Sequence, residues 1–232
     1  MFKFKQFTID DSHSAMKIGT DGVLLGAWAD VAGDSHILDA GTGTGLIALM
    51  VAQRNNEAKI SAIDIVEESA MEARANADKS PWGGRVEVGC ADLRSYRPQQ
   101  QFDHIVSNPP FFVDSIPSPD AVRAMARHTT TLDYADIVTA AEELLCAGGR
   151  LSIVLPFECG ARFRRVAFER LWLSRQTTVI TREGDIPKRL LMEFVKSDKP
   201  LMPRCDTLLI QLNDGAYTEE YRALTQDFYL MF

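Results

Sequence analysis

Four stretches of the chain set hydrogen-bonding residue types directly after an apolar run. The first, "LDAGTGTG" at 38–45, places Asp39 ahead of glycines at 41, 43 and 45. That spacing is G-x-G-x-G, and a dinucleotide pyrophosphate loop would read G-x-G-x-x-G. Glycine lets a backbone pass close to a small ligand, and Asp39 can accept from a ligand ammonium or orient the loop. A tight strand-to-helix turn accounts for the same residues. Asp64 closes "KISAID", where a carboxylate can take both ribose hydroxyls of a nucleoside or cap a helix. Asp92, in "CADL", can accept from an adenine exocyclic amine or cap its own loop. The fourth stretch, "SNPPFF" at 107–112, sets two prolines where a strand would need N–H donors. Its rigid bend offers the amide of Asn108, the carbonyl of Pro109 and the ring of Phe111. A strand-ending turn could be made of the same residues, but the glycine loop upstream favours a functional bend.

These residues need a frame that gathers strand ends. "HILDA" (36–40), "KISAID" (59–64), "RVEVG" (85–89), "FDHIVS" (102–107) and "GRLSIVLP" (149–156) read as strands, each with Gly, Pro or acidic punctuation. Helical patterns lie between them. "GLIALMVAQRN" follows the first strand; "VEESAMEARANA" follows the second, with Glu67 and Glu68 in its first turn where the macrodipole favours acids. "LDYADIVTAAEELL" aligns Tyr134, Ile137, Val138, Ala141, Leu144 and Leu145 on one stripe, and Gly148 and Gly149 are expected to end it. A further helix near 158–172 precedes "TTVITREG" and "RLLMEFVKS", two strands close enough to form an antiparallel edge pair. "YTEEYRALTQDFYLMF" reads as a terminal amphipathic helix. Regular alternation predicts an α/β, doubly wound parallel sheet, whose ligands bind beyond the carboxyl ends of the strands.

Composition narrows the partners. At 232 residues and 46% hydrophobic, the chain can bury a full core, and with no repeat or long linker one domain is expected over 1–232. The N-terminus "MFKFKQFTIDD" does not resemble a secretory signal, and "GVLLGAWADVAG" is too short to cross a bilayer, so a cytoplasmic protein with no membrane partner is expected. Cys90, Cys146, Cys159 and Cys205 are scattered without C-x-x-C pairs or a histidine cluster, which predicts no metal. A net charge of −7, from 25 basic against 32 acidic residues, means nucleic acid could be held only by local patches. Candidates are "ARFRR" (161–165) with Arg170 and Arg175, "RAMARH" (123–128), "PKR" (187–189), and Lys3, Lys5 and Lys17; each also fits a solvated face.

Taken together, "DAGTGTG", Asp64, "ADL" and "NPPF" resemble the class I S-adenosylmethionine-dependent methyltransferases, in the branch that methylates amino groups. The resemblance extends through "MKIGTDGVLLGAW" (16–28), "SPW" (80–82), "ARHTTTLD" (126–133) and "ALTQDFYL" to nearly the whole chain. It points to the bacterial family that N6-methylates adenine 37 in the anticodon loop of a valine tRNA. It implies a seven-stranded Rossmann-like methyltransferase sheet with an antiparallel edge strand, an N-terminal extension and cofactor-closing segment over 1–35, and a catalytic core over 36–232. S-adenosylmethionine would be the cofactor, held by Lys17, Thr20, Asp21, Asp39, Gly41, Gly43, Gly45, Asp64, Asp92, Leu93 and Asn108. Asn108, Pro109, Pro110 and Phe111 would form the catalytic bend. Substrate contacts would come from Phe112, Arg127, His128, Lys188 and Arg189, with tRNA as partner and a monomer as the working form. Many relatives have Tyr after the prolines; Phe111 keeps the stacking face.

The implied chemistry suits the bend. An adenine amine is a weak nucleophile because its lone pair is delocalised into the ring. An amide oxygen and a backbone carbonyl can each accept one of its hydrogens, drawing the nitrogen toward tetrahedral geometry and favouring charge that develops in the transition state. The methyl donor is already a sulfonium, so no general base is required. His128 is read as a phosphate or loop contact, and Trp82 and Trp172 as packing residues. The same motif would also serve a glutamine amide in a protein or an adenine in DNA. The first would call for a recognition domain before "HILDA", and the second for a large target-recognition insert. A binding module that retains the fold without catalysis is the remaining alternative.

Overall fold

The structure, a computed structural model, describes residues 1–12, 17–110 and 132–232. Two short strands, β1 (Phe2–Lys3) and β2 (Thr8–Ile9), pair near the N-terminus. The main sheet contains β3 (His36–Ala40), β4 (Lys59–Asp64), β5 (Val86–Cys90), β6 (Phe102–Ser107), β7 (Leu145–Pro156), β8 (Trp172–Arg182), β9 (Arg189–Val195) and β10 (Arg204–Gln211). Its spatial order is β10-β8-β9-β7-β6-β3-β4-β5. All the strands read from the sequence are present. The sheet has eight strands where seven were expected, because β10 adds to the edge in parallel with β8. Its first half is exposed and only Leu208 and Ile210 are buried, so it carries little apolar signal. The antiparallel departure lies on that side of the sheet: β9 runs against both β7 and β8.

Side chains alternate between two cores, as a pleated sheet covered on both faces requires. Ile37, Ala62 and Val154 join one cluster, while their neighbours Leu38, Ile63 and Ile153 join the other. Helices α1 (Thr20–Trp28), α2 (Leu46–Arg54) and α3 (Glu67–Asp78) cover the first face through Leu24, Leu25, Leu49, Met50, Ala70 and Ala73. On the opposite face, α4 (Tyr134–Leu144) presents Ile137 and Val138, and α5 (Gly160–Ala167) presents Phe163. An Asp133 capping box starts α4. The glycines expected to end α4 do not: the helix stops at Leu144, and Gly148, at φ 78°, lies within β7. There the register against β6 jumps from Leu145 opposite Phe102 to Arg150 opposite His104, so the glycines serve a bulge. The terminal helix is also shorter than expected, α6 spanning only Glu219–Thr225. The ends of the chain meet: Lys5 Nζ donates to the carbonyls of Gln226 and Phe232 at 2.7 and 2.8 Å, and Phe4 stacks between Phe7 and Tyr229.

A Ser-His-Asp alignment occurs inside the sheet. His104 lies 2.9 Å from both Asp34 and Ser152, and Arg150 donates to Asp34 at 2.6 Å. His104 and Ser152 are wholly buried, so this line of groups is closed to any substrate; it satisfies polar atoms in the core.

Candidate active site

Asp39 is fully buried at the carboxyl end of β3. One carboxylate oxygen, Oδ2, accepts from Thr42 Oγ1 at 2.7 Å and from the Ala48 amide at 3.0 Å. It thereby closes the glycine loop and satisfies a first-turn donor of α2, which has no side-chain cap of its own. The other oxygen, Oδ1, is buried without a partner. Burial pushes the carboxyl up to about 7, outweighing the two hydrogen bonds that act the other way. The loop it supports is open. Gly41 and Gly43 have φ of 76° and 55°, and a Cβ on either would meet nothing within 4 Å. Here backbone can lie directly against a ligand.

Asp64 finishes the neighbouring strand, with both oxygens fixed. Oδ2 accepts from the Gly43 amide and Oδ1 from the Val66 amide, each at 2.9 Å. Each oxygen keeps a lone pair for a further donor. Asp92 is turned onto its own loop, where the Arg94 amide donates to Oδ1 at 3.0 Å and the guanidinium grips the carboxylate at 2.5 to 3.0 Å. Those Arg94 hydrogen bonds hold its carboxyl below the usual range. Leu93 is buried in the second core.

Asn108 follows β6, the strand beside β3, with Asp39 in register with Val106. Pro109 is buried and Pro110 exposed. Like Asp39 Oδ1, the Asn108 amide oxygen is buried and has no hydrogen-bond partner. Leaving an acceptor in that state costs about 1–3 kcal/mol, a cost that marks a site built for an incoming donor. Three supporting residues were not singled out in the sequence. Thr42 holds Asp39; Ser107 Oγ donates to the Ala40 carbonyl at 2.7 Å, tying β6 to β3. Gly22 is the third: a Cβ on it would stand 3.9 Å from Asn108 Nδ2 and 3.1 Å from Leu46. A glycine inside a helical pattern was the available signal for that close approach.

The remaining candidates divide. Lys17 donates to the carbonyls of Asp11 and Ser12. Thr20 opens α1, whose N-cap is Gly19, and Asp21 in the same turn accepts from Arg189 Nε at 2.8 Å. Thr20, Asp21, Lys188 and Arg189 therefore border one pocket. Several basic residues are committed elsewhere, with Arg170 on Glu142 at 2.6 Å and Arg175 stacked 3.7 Å over the Trp28 ring. Arg164, Arg165 and Lys188 stay exposed. Trp82 packs on the first core and meets Phe7 edge to face. Phe111, Phe112, Arg127 and His128 lie outside the described residues. No helix among the described residues is long and apolar enough to cross a membrane.

Comparison with known proteins places this geometry. The family model for the methyltransferase small domain matches residues 12–169. The tRNA1(Val) (adenine(37)-N6)-methyltransferase of Bacteroides thetaiotaomicron is 46% identical over 99% of this chain and 97% of its own length. That of Phocaeicola vulgatus is 47% identical over the same shares. The chain belongs to the tRNA1(Val) (adenine(37)-N6)-methyltransferase family. Among solved structures, one described as a predicted O-methyltransferase from Agrobacterium tumefaciens superposes with a TM-score of 0.71 over 90% of this chain and 96% of that one. At 22% identity, that likeness speaks for the fold. The fold is that of the class I methyltransferases, and, as the family model and the curated relatives show, the chain is a methyltransferase whose cofactor is S-adenosylmethionine. The residues present fit it: open glycine backbone, a doubly anchored carboxylate at Asp64, and unpartnered acceptors on Asp39 and Asn108.

Proposed function

We propose that this protein methylates the N6 amine of an adenine in RNA, adenine 37 in the anticodon loop of a valine tRNA, acting as a cytoplasmic monomer formed by one domain. What supports this reading most is the pair of buried, unpartnered acceptors at the ends of adjacent strands, Asp39 Oδ1 and Asn108 Oδ1, one suited to a cofactor ammonium and one to a substrate amine. S-adenosylmethionine supplies a methyl group already activated on sulfur. Asp39 takes the ammonium of that cofactor, Gly41 and Gly43 give its methionyl part room while Gly45 lets the turn pack against Ala73, and Asp64 accepts from the ribose hydroxyls. Asp92 shares its carboxylate between Arg94 and the adenine edge, with Leu93 beneath. Lys17, Thr20 and Asp21 close over the methionyl end.

Asn108 Oδ1 and the Pro109 carbonyl accept the two hydrogens of the target amine, fixing its lone pair toward the methyl carbon. Pro110 stiffens the bend and Phe111 gives the base a flat face. No general base is needed, since the proton is acidic once the nitrogen is alkylated and can leave to water. A base in an anticodon loop is already single-stranded, so its extrusion costs less than from a duplex. Phe112, Arg127, His128, Lys188 and Arg189 hold the loop around it. The test is methylation of an unmodified valine tRNA transcript by the purified protein, followed by nucleoside mass spectrometry. N6-methyladenosine at position 37 is expected; transfer to a protein glutamine in place of RNA would overturn the reading.

A further inference from the structure

A cavity of about 330 Å³ opens beside the first turn of α1, large enough for a small ligand. Leu24, Val179 and Ile210 give it an apolar lining, joined by Tyr217 and Tyr221, whose rings stack on each other with centroids 5.3 Å apart. Thr181 and Gln211 add donors and acceptors, and the exposed ammonium of Lys188 stands at the border. Two features tie the cavity to the methylation site. Asp21 and Leu24 line it, while Gly22 between them faces Asn108, whose Nδ2 would stand 3.9 Å from a Cβ placed there. The Asp21 to Arg189 ion pair, at 2.8 Å, locks that helical turn to β9 and holds the two sites at a fixed separation.

The walls also come from a telling part of the chain. Apart from the α1 residues, every one lies between 179 and 221, beyond the 12–169 span of the general methyltransferase domain. Residues outside the common chemistry are free to serve substrate choice. The wall chemistry is that of a nucleotide subsite: flat apolar and aromatic surface for a base, hydrogen-bonding groups for its edge, and a cation for its phosphate. We propose that this cavity seats a nucleotide flanking the target adenine, splayed out when the target is extruded, and that it sets RNA selectivity. The inference rests on the RNA adenine reading above.

The test uses an RNA stem-loop carrying the target adenine, with the 5′ or the 3′ neighbour replaced in turn by an abasic residue. For the wild-type protein, one of the two replacements should raise KM about tenfold with kcat little changed, as expected for a lost base contact. Thr181→Phe, which fills the cavity, should raise KM for the intact loop by a similar factor, and the abasic replacement should then add nothing. Gln211→Ala, a milder change at a half-buried lining residue, should give part of the same non-additive loss. Cofactor affinity by calorimetry should match wild type in both variants; if Thr181→Phe fails to fold, Gln211→Ala decides. Additive losses, or no loss at either neighbour with an active wild-type enzyme, overturn the cavity assignment alone. A wild-type protein that methylates no adenine in the loop overturns the RNA reading, and the subsite falls with it.

Discussion

The Gly43 amide donates to the Asp64 carboxylate at 2.9 Å, joining the open loop after β3 to the end of β4. With the Val66 amide on the other oxygen, Asp64 is held at both oxygens, and under the proposed function a ribose diol would meet two acceptors already in place. Asp64→Ala should weaken cofactor binding by about 2 kcal/mol, roughly thirtyfold in Kd, with a loss of about 1 kcal/mol in stability. Calorimetry with S-adenosylmethionine checks the first figure and chemical denaturation the second. Unchanged affinity would remove Asp64 from the cofactor site.

The raised Asp39 carboxyl gives the site a pH signature. Its ordinary value is 3.8 and burial takes it to about 7. Between those values the folded chain keeps a proton that the unfolded chain has released. The stability contributed is therefore full below pH 3.8 and is lost as pH rises to about 7. A cofactor ammonium reverses the preference, because it favours the ionised form. Cofactor affinity should thus fall as pH drops below 7, by up to tenfold per unit, and Asp39→Asn should flatten the profile. A wild-type profile level from pH 8 to 5.5 would show that Asp39 meets no cationic group.

Much of this site was legible because local rules wrote it. Asp39, Asp64 and Asn108 each end an apolar run, and the glycines at 41, 43 and 45, read as close backbone approach or a tight turn, all adopt positive φ. What stayed hidden depends on contacts far apart in sequence. Asp21 and Arg189 are 168 residues apart, and nothing in either local pattern, read as a cofactor-closing turn and as a substrate contact, signals that they pair. Gly148 carries a helix-stop signal, yet the run from Leu145 pairs with β6 before the glycines arrive, so tertiary pairing overrides the local cue. Strand β10 was missed because half of it is exposed at the sheet edge.

Gly22 separates helix propensity from site geometry. The one tight contact a Cβ there would make is with the flexible end of Leu46 at 3.1 Å, so Gly22→Ala should leave stability within about 1 kcal/mol, with better helix propensity offsetting the crowding. Gly22→Val reaches further toward Asn108, whose Nδ2 is 3.9 Å from the Cβ position. It should lower kcat at least tenfold, since small displacements of a positioning group are costly. Steady-state kinetics on RNA, beside melting temperatures, distinguish the two variants. Equal kcat values would show that Asn108 does not depend on this packing.

Asn108 brings stability and catalysis into opposition. Its amide oxygen is buried without a partner, an arrangement that burdens the folded state. Asn108→Ala removes that acceptor and leaves a small void, so stability should stay level or rise by about 1 kcal/mol. Transfer should fall by about 10²–10³ in kcat, the usual effect of deleting one preorganised group that acts on developing charge. Cofactor binding should persist, because Asp39, Asp64 and the glycine loop are untouched. Measuring denaturation, calorimetry and single-turnover methylation on the same variant tests all three together. A variant that keeps activity while losing the cofactor would show that Asn108 serves the donor, and a marked drop in stability would show that its oxygen is satisfied in the folded protein.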